Sequence, residues 1–269
     1  ALAGEIRAFV ARLVAERAQR LDTADFWEAQ VAGPDPALGR RRVRPETDCA
    51  ADAVVSMAII DPDLTARLLA AGQPVTDLLA AATARTVTRW RQRRGQDTPA
   101  PLVALETHGR ADTVVSGDRV DTGDTVGLFS AIYPLRISSE APHQVSAEIA
   151  AVPGHGIDFG LLRYLRADTA ERLSAYPEPQ VLLNYLGRVH LGASGDALRL
   201  DGALLAGASP VPEPNHAVHH ELILMAGVID HDGAAALGVQ WRTVPDILSA
   251  DDIREMQQLW ESQLREVVK

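Results

Sequence analysis

The chain has 269 residues, 46% of them hydrophobic and 23% charged, the balance of a soluble globular protein that can bury one large core or two modest ones. Its formal charge of −10 argues against nucleic acid or an anionic membrane as the main partner, and no apolar run approaches the length of a membrane span. A single cysteine, Cys49, excludes an intrachain disulfide framework, suits a reducing cytoplasm, and reads as a small buried residue, not a nucleophile.

Taken in order, Leu2, Ile6, Phe9, Val10 and Leu13 recur at helical spacing and predict an amphipathic helix over residues 1–20. Glu5 so close to the start disfavours a secretory signal, and a chain that opens inside a helix is expected to be cut from something longer. Asp25-Phe26-Trp27 follows, and then residues 33–45, rich in Pro, Gly and Arg, read as a linker. The arginine runs Arg40, Arg41, Arg42, Arg44 and Arg89, Arg91, Arg93, Arg94 read as solvated faces. Residues 54–60 predict a strand that ends at Asp61-Pro62, where a short helix begins. Pro74 starts a longer helix whose Val75, Leu78, Leu79, Ala82, Thr86 and Trp90 share one face, and Gly95 ends it.

The next stretch, PLVALETHGR over residues 101–110, is the most informative. Leu102 to Leu105 form a short apolar run that reads as a buried strand, and its exit delivers Glu106, His108 and Arg110. A rigid strand is a good mount for reactive groups, although Glu106 and Arg110 could equally form a structural ion pair. Residues 117–123 read as loop. Residues 128–137 and 181–186 read as strands, separated by the glycine-bearing segment 153–160 and a helix start at 161–165. Residues 221–229 and 234–242 flank His231-Asp232-Gly233, a hairpin signal because Asp-Gly suits a type I′ turn. Ser249 with Asp252 is a helix-start box, after which Ile253, Met256, Leu259, Trp260 and Leu264 form a buried stripe. Strands and helices are interspersed, so the class is α/β or α+β with a mixed sheet.

Four motifs stand in order: ETHGR from Glu106, DTVGLFSAIYPL from Asp124, PGHGIDFGLLRYL from Pro153, and LNYLGRV from Leu183. Together they resemble the epimerization domains of nonribosomal peptide synthetases, a branch of the condensation-domain superfamily. The resemblance runs from about residue 25 to the C-terminus. It implies a chloramphenicol acetyltransferase-like fold of two similar lobes, each a mixed sheet with helices (an α+β two-layer sandwich), with a tunnel between them. The superfamily's histidine motif, HHxxxDG, belongs to the first lobe and is absent here. His219-His220 is followed by Glu221-Leu222-Ile223-Leu224-Met225, with no Asp-Gly, and the spacing of His216, His219 and His220 fits no strong metal-ligand pattern. The resemblance therefore implies that residues 33–269 form the C-terminal lobe and residues 1–32 the connecting helix and crossover.

By the same resemblance, Glu106 is the acid/base that this lobe supplies for proton exchange at the Cα of a carrier-bound thioester. Asn184 and Tyr185 line the tunnel and orient the thioester or its enolate oxygen. His108, Arg110, Gly109, Gly127 and Gly187 support the site, with Gly156 and Gly160 as further turn glycines. Thr107, Leu128, Phe159 and Leu183 depart from the usual family residues. The implied partners are the missing N-terminal lobe and a peptidyl carrier protein whose phosphopantetheine bears the substrate, with no cofactor bound directly. A condensation enzyme, or a non-catalytic lobe that docks carrier proteins, are the alternatives.

Overall fold

The alternating segments fold around a six-stranded mixed sheet, seen in a computed structural model that describes residues 2–109, 113–115, 118–120, 129–189, 213–231 and 233–269. The strands in chain order are β1 (Val54–Ile60), β2 (Leu102–Thr107), β3 (Thr113–Val115), β4 (Asp118–Val120), β5 (Ala131–Arg136), β6 (Val181–Arg188), β7 (Leu222–His231) and β8 (Ala234–Thr243). The large sheet has the order β1-β8-β7-β6-β2-β5, and β3 pairs with β4 separately. The inner strands β2, β6 and β7 run parallel, while β1, β8 and β5 pair antiparallel to their neighbours. The helices are α1 (Leu2–Gln19), α2 (Ala24–Val31), α3 (Pro62–Ala70), α4 (Val75–Arg93), α5 (Pro142–Ala150), α6 (Ile157–Tyr164), α7 (Ala167–Ser174) and α8 (Ala250–Val267). This is the expected two-layer α/β sandwich.

The two-residue period of the strands divides the sheet into unlike faces. Val103 and Leu105 on β2, Val181 and Leu183 on β6, Leu222 and Leu224 on β7, and Leu237 and Val239 on β8 join the core under the helices. The opposite parity forms a continuous transverse row, Met57, Gln240, Met225, Asn184, Glu106 and Ile132, one residue from each strand. Met57 and Ile132 in that row are 57% and 45% exposed, so the helix layer covers one face and leaves the other open.

At the centre of the helix layer is α4, where Leu78 to Ala82 are all buried. A run of alanines lets α4 approach the sheet, α5 and α8 at once, and Trp260 Nε1 donates to Thr83 Oγ1 at 3.0 Å across the α4–α8 seam. The Ser249–Asp252 capping box forms as expected and starts α8, whose buried stripe includes Ile253, Met256, Leu259, Trp260 and Leu264. Around the β5 edge, Trp27 of α2 is fully buried and packs edge-on against Tyr133 and tilted against Phe159. The Asp25-Phe26-Trp27 segment is thus part of the core.

Residues 33–45 are not a loose linker. Leu38 is fully buried, its N–H donates to Gln180 Oε1 at 2.6 Å, and its carbonyl accepts from Trp90 Nε1 at 2.8 Å. Asp35 receives Arg91 at 2.6 Å and Gln180 at 2.8 Å, and Arg42 pairs with the buried Glu221 at 2.7 Å. Arg91 is 1% exposed, so part of the second arginine run points inward, while Arg41 binds Asp48 through two bonds of 2.6 and 2.8 Å. The sequence expectation failed because the partners that anchor Asp35, Leu38 and Arg42 are distant in the chain. Cys49 also differs: it is half-buried, with Sγ 3.1 Å from Asp52 Oδ2. Residues 118–120 of the expected loop form β4, the helix expected from Leu161 begins at Ile157, and α7 had no sequence forecast.

Candidate functional site

Glu106 and Asn184 are direct partners in the parallel ladder between β2 and β6, so both side chains rise from the open face at adjacent positions. Asn184 Nδ2 donates to Glu106 Oε2 at 2.6 Å. A carboxylate held by an amide donor keeps one orientation. Glu106 is the last residue but one of β2, and the pair closes the parallel register between β2 and β6, whereas Asn184 lies in the middle of β6. A cavity of about 540 Å³ opens there, lined by Glu106, Thr107, His108, Asn184, Tyr185 and Gly187. Thr76 at the start of α4, Phe129-Ser130 and Leu186 complete the wall.

Local backbone geometry makes room for this cavity. Gly109 turns the chain directly after the ETH segment at φ +64°, and a Cβ there would lie 1.6 Å from the Phe129 carbonyl oxygen. No other residue fits both the conformation and the space. On β6, the register with β7 shifts between Tyr185 and Arg188, and Gly187 takes φ +72° in that irregularity. Such a bulge re-aims the side chains beside it. Gly156 has φ +89° and would place a Cβ 2.0 Å from Tyr133 Cδ1, whereas Gly160 lies inside α6 and makes no turn.

Five of the candidate residues therefore converge on one cavity, with Gly109 behind it. Tyr185 reaches the wall from the other parity of β6: it is half-buried against the core, and that burial raises the pKa of its phenol. Asn184, expected to orient the thioester, uses one amide N–H on Glu106, which leaves its second N–H and its Oδ1 outside that bond. Arg110 and Gly127 lie outside the described residues. Thr76, Phe129, Ser130 and Leu186 were missed as wall residues, although Phe129 and Ser130 stand inside the second motif and Leu186 inside the fourth.

A second cavity of about 740 Å³ adjoins the first through Ser130 and is lined by Ala104, Ile132, Arg163, Tyr164, Glu178 and His220, among others. His220 Nδ1 lies 2.7 Å from the Pro179 carbonyl, which fixes that nitrogen as the protonated donor. Burial lowers the His220 pKa, which favours the neutral ring. Among the described residues no group of three or more His, Cys, Asp or Glu side chains could hold a metal ion, and no helix is long and apolar enough to cross a membrane.

The sheet order and the site on its open face can be set beside solved structures. The epimerization domain from the third module of tyrocidine synthetase B superposes with a TM-score of 0.70 at 19% identity, covering 95% of this chain and 57% of that one. The chain has the condensation-superfamily fold. The condensation domain from Monacolin K polyketide synthase matches with a TM-score of 0.58 at 14% identity, over 97% of this chain and 60% of that one. A little more than half of each of these two solved chains is thus represented, which fits one lobe, the C-terminal one. By sequence, a linear gramicidin synthase of Brevibacillus parabrevis is 36% identical over 132 residues, which is 46% of this chain and 2% of that protein. Chondramide synthase of Chondromyces crocatus is 33% identical over 210 residues, 74% of this chain and 5% of that protein, so the chain spans a small part of either relative. No family model matches the chain.

Proposed function

We propose that this chain is the C-terminal half of an epimerization domain that inverts the Cα of an aminoacyl or peptidyl thioester held on a carrier protein. The observation that carries this reading is the Glu106–Asn184 pair, a carboxylate oriented by an amide at the mouth of a cavity on an uncovered sheet face. Glu106 would take the Cα proton, and the C–H electron pair would pass into an enolate whose negative charge rests on the thioester oxygen. Reprotonation from the opposite face by a group of the other lobe completes the inversion and regenerates the thioester. Asn184 is the positioning residue in this scheme, and Tyr185, on the cavity wall, would polarise the thioester oxygen.

The open face is where the N-terminal lobe with its histidine motif would close the tunnel, with residues 1–32 as the connection. The carrier's phosphopantetheine would then enter between the lobes, and a cytoplasmic synthetase supplies the setting. A condensation enzyme is the second reading, and the fold, shared with a solved condensation domain, serves it equally. On the epimerase reading the chain alone lacks half of its tunnel and is expected to be inert. After incubation with a loaded carrier protein and chemical hydrolysis of the thioester, the amino acid should have unchanged chirality, while the two-lobed protein inverts it. Inversion by this chain alone would place the second proton-transfer group within it and contradict the scheme.

A further inference from the structure

The two edges of the sheet are treated differently. At the β5 edge, Pro134 interrupts the donor row, and the Arg136 N–H donates to Gln30 Oε1 of α2 at 2.9 Å. At the other end, β1 reads Val-Val-Ser-Met-Ala-Ile-Ile, with no charge and no proline. Among the described residues it pairs with β8 alone, so alternate N–H and C=O groups face outward. Among the described residues none of those outward N–H groups donates to another element. Val55, Met57 and Ile59 on its open-face parity are 54%, 57% and 39% exposed. Such an edge is a template for another strand.

Beside this edge runs a groove of about 240 Å³ between β1 and α8, lined on the helix side by Arg254, Gln257, Gln258 and Glu261. These four form one stripe along α8, cationic at its first end, neutral in the middle and anionic at its last. Gln257 Nε2 donates to Ser56 Oγ at 3.0 Å, which fixes the middle of the stripe level with the middle of β1. A twofold axis through Met57, perpendicular to the sheet, would therefore act on a self-complementary surface. It sets Met57 opposite Met57, Val55 opposite Ile59, and Arg254 of one copy toward Glu261 of the other.

We propose that β1 is a homodimerisation edge: two copies of this chain pair antiparallel through β1, extending the six-stranded sheet into one of twelve, with α8 flanking α8. The side chains agree in charge, apolar pattern and register about one point. Arg254 now pairs with Asp251, and Glu261 with Arg265, but both are exposed pairs within the helix and are cheap to exchange. The strand β1 is separated from β2, which carries Glu106, by β8, β7 and β6, so the proposal does not rest on the catalytic reading.

The test is sedimentation equilibrium of this chain over a micromolar concentration series. A dimer is expected, and Met57→Lys, which sets two like charges on the axis, should leave a monomer with an unchanged thermal melt. Arg254→Glu alone and Glu261→Arg alone should each raise the dimer Kd several-fold, and the double exchange should restore it. Met57→Cys should form an intermolecular disulfide under mild oxidation, while a control cysteine at exposed Leu69 should not. A wild-type chain that stays monomeric throughout the series overturns the proposal. So does a dimer that survives Met57→Lys or ignores both charge reversals, because its interface then lies elsewhere.

Discussion

Replacing Glu106 by glutamine in the two-lobed protein is expected to slow Cα inversion by roughly 10²–10⁴-fold while leaving the fold intact. The substitution keeps the shape of the side chain and removes only its capacity to accept a proton. Asn184 can still donate to the amide oxygen that replaces Oε2, so the 2.6 Å contact has a neutral substitute. Glu106 is half-buried on the open face, outside the apolar Val103–Leu105 side of β2, so the core does not depend on its charge. Asn184→Ala should cost less, because it frees the carboxylate to rotate without removing it. Inversion rates at constant melting temperature check both statements, and near-normal inversion by a well-folded Glu106→Gln protein would reduce the carboxylate to a structural role.

The largest loss of stability is expected at Arg91. Its guanidinium is 1% exposed, and Nη2 donates to Asp35 Oδ1 at 2.6 Å and to the Pro36 carbonyl at 2.8 Å. Arg91→Met keeps the bulk of the stem but leaves the buried Asp35 carboxylate, among the described residues, with Gln180 at 2.8 Å and Arg42 at 3.3 Å. Breaking a buried pair from one side costs about 3–5 kcal/mol, a large part of the stability of an ordinary domain. Arg91 Nε and Nη1 find no partner among the described residues, so the pair is not optimised for stability alone. The double variant Arg91→Met with Asp35→Asn should therefore recover much of the loss. Urea unfolding of the three proteins measures this, and a single variant as stable as the parent would mean that the arginine contributes nothing to anchoring residues 33–45.

These two sites differ in how far the sequence exposed them. The run Leu102–Leu105 ending in ETHGR announced a buried strand with reactive groups at its exit, and Ser249-Asp252 announced α8, because both signals are local. Residues 33–45 looked like a linker for the same reason: Arg91, Gln180 and Glu221, which hold them, lie far along the chain and carry no local mark. The Glu106–Asn184 pair was legible as two candidates, but not as a contact. Their contact is a matter of parallel register between β2 and β6, which only the folded sheet sets. The uncharged stretch Val54–Ile60 read correctly as a strand, yet nothing local marked it as the outermost one.

The most direct test of Glu106 as a proton-transfer group is Cα–H exchange in deuterated water. The two-lobed protein would be given a carrier-bound substrate with no acceptor carrier present, and the hydrolysed amino acid weighed by mass spectrometry. The epimerase reading predicts a mass increase of one deuterium at Cα, accompanied by inversion, and loss of both in Glu106→Gln. An unchanged mass, together with efficient acylation of an acceptor once it is supplied, would contradict that reading and assign the lobe to a condensation enzyme.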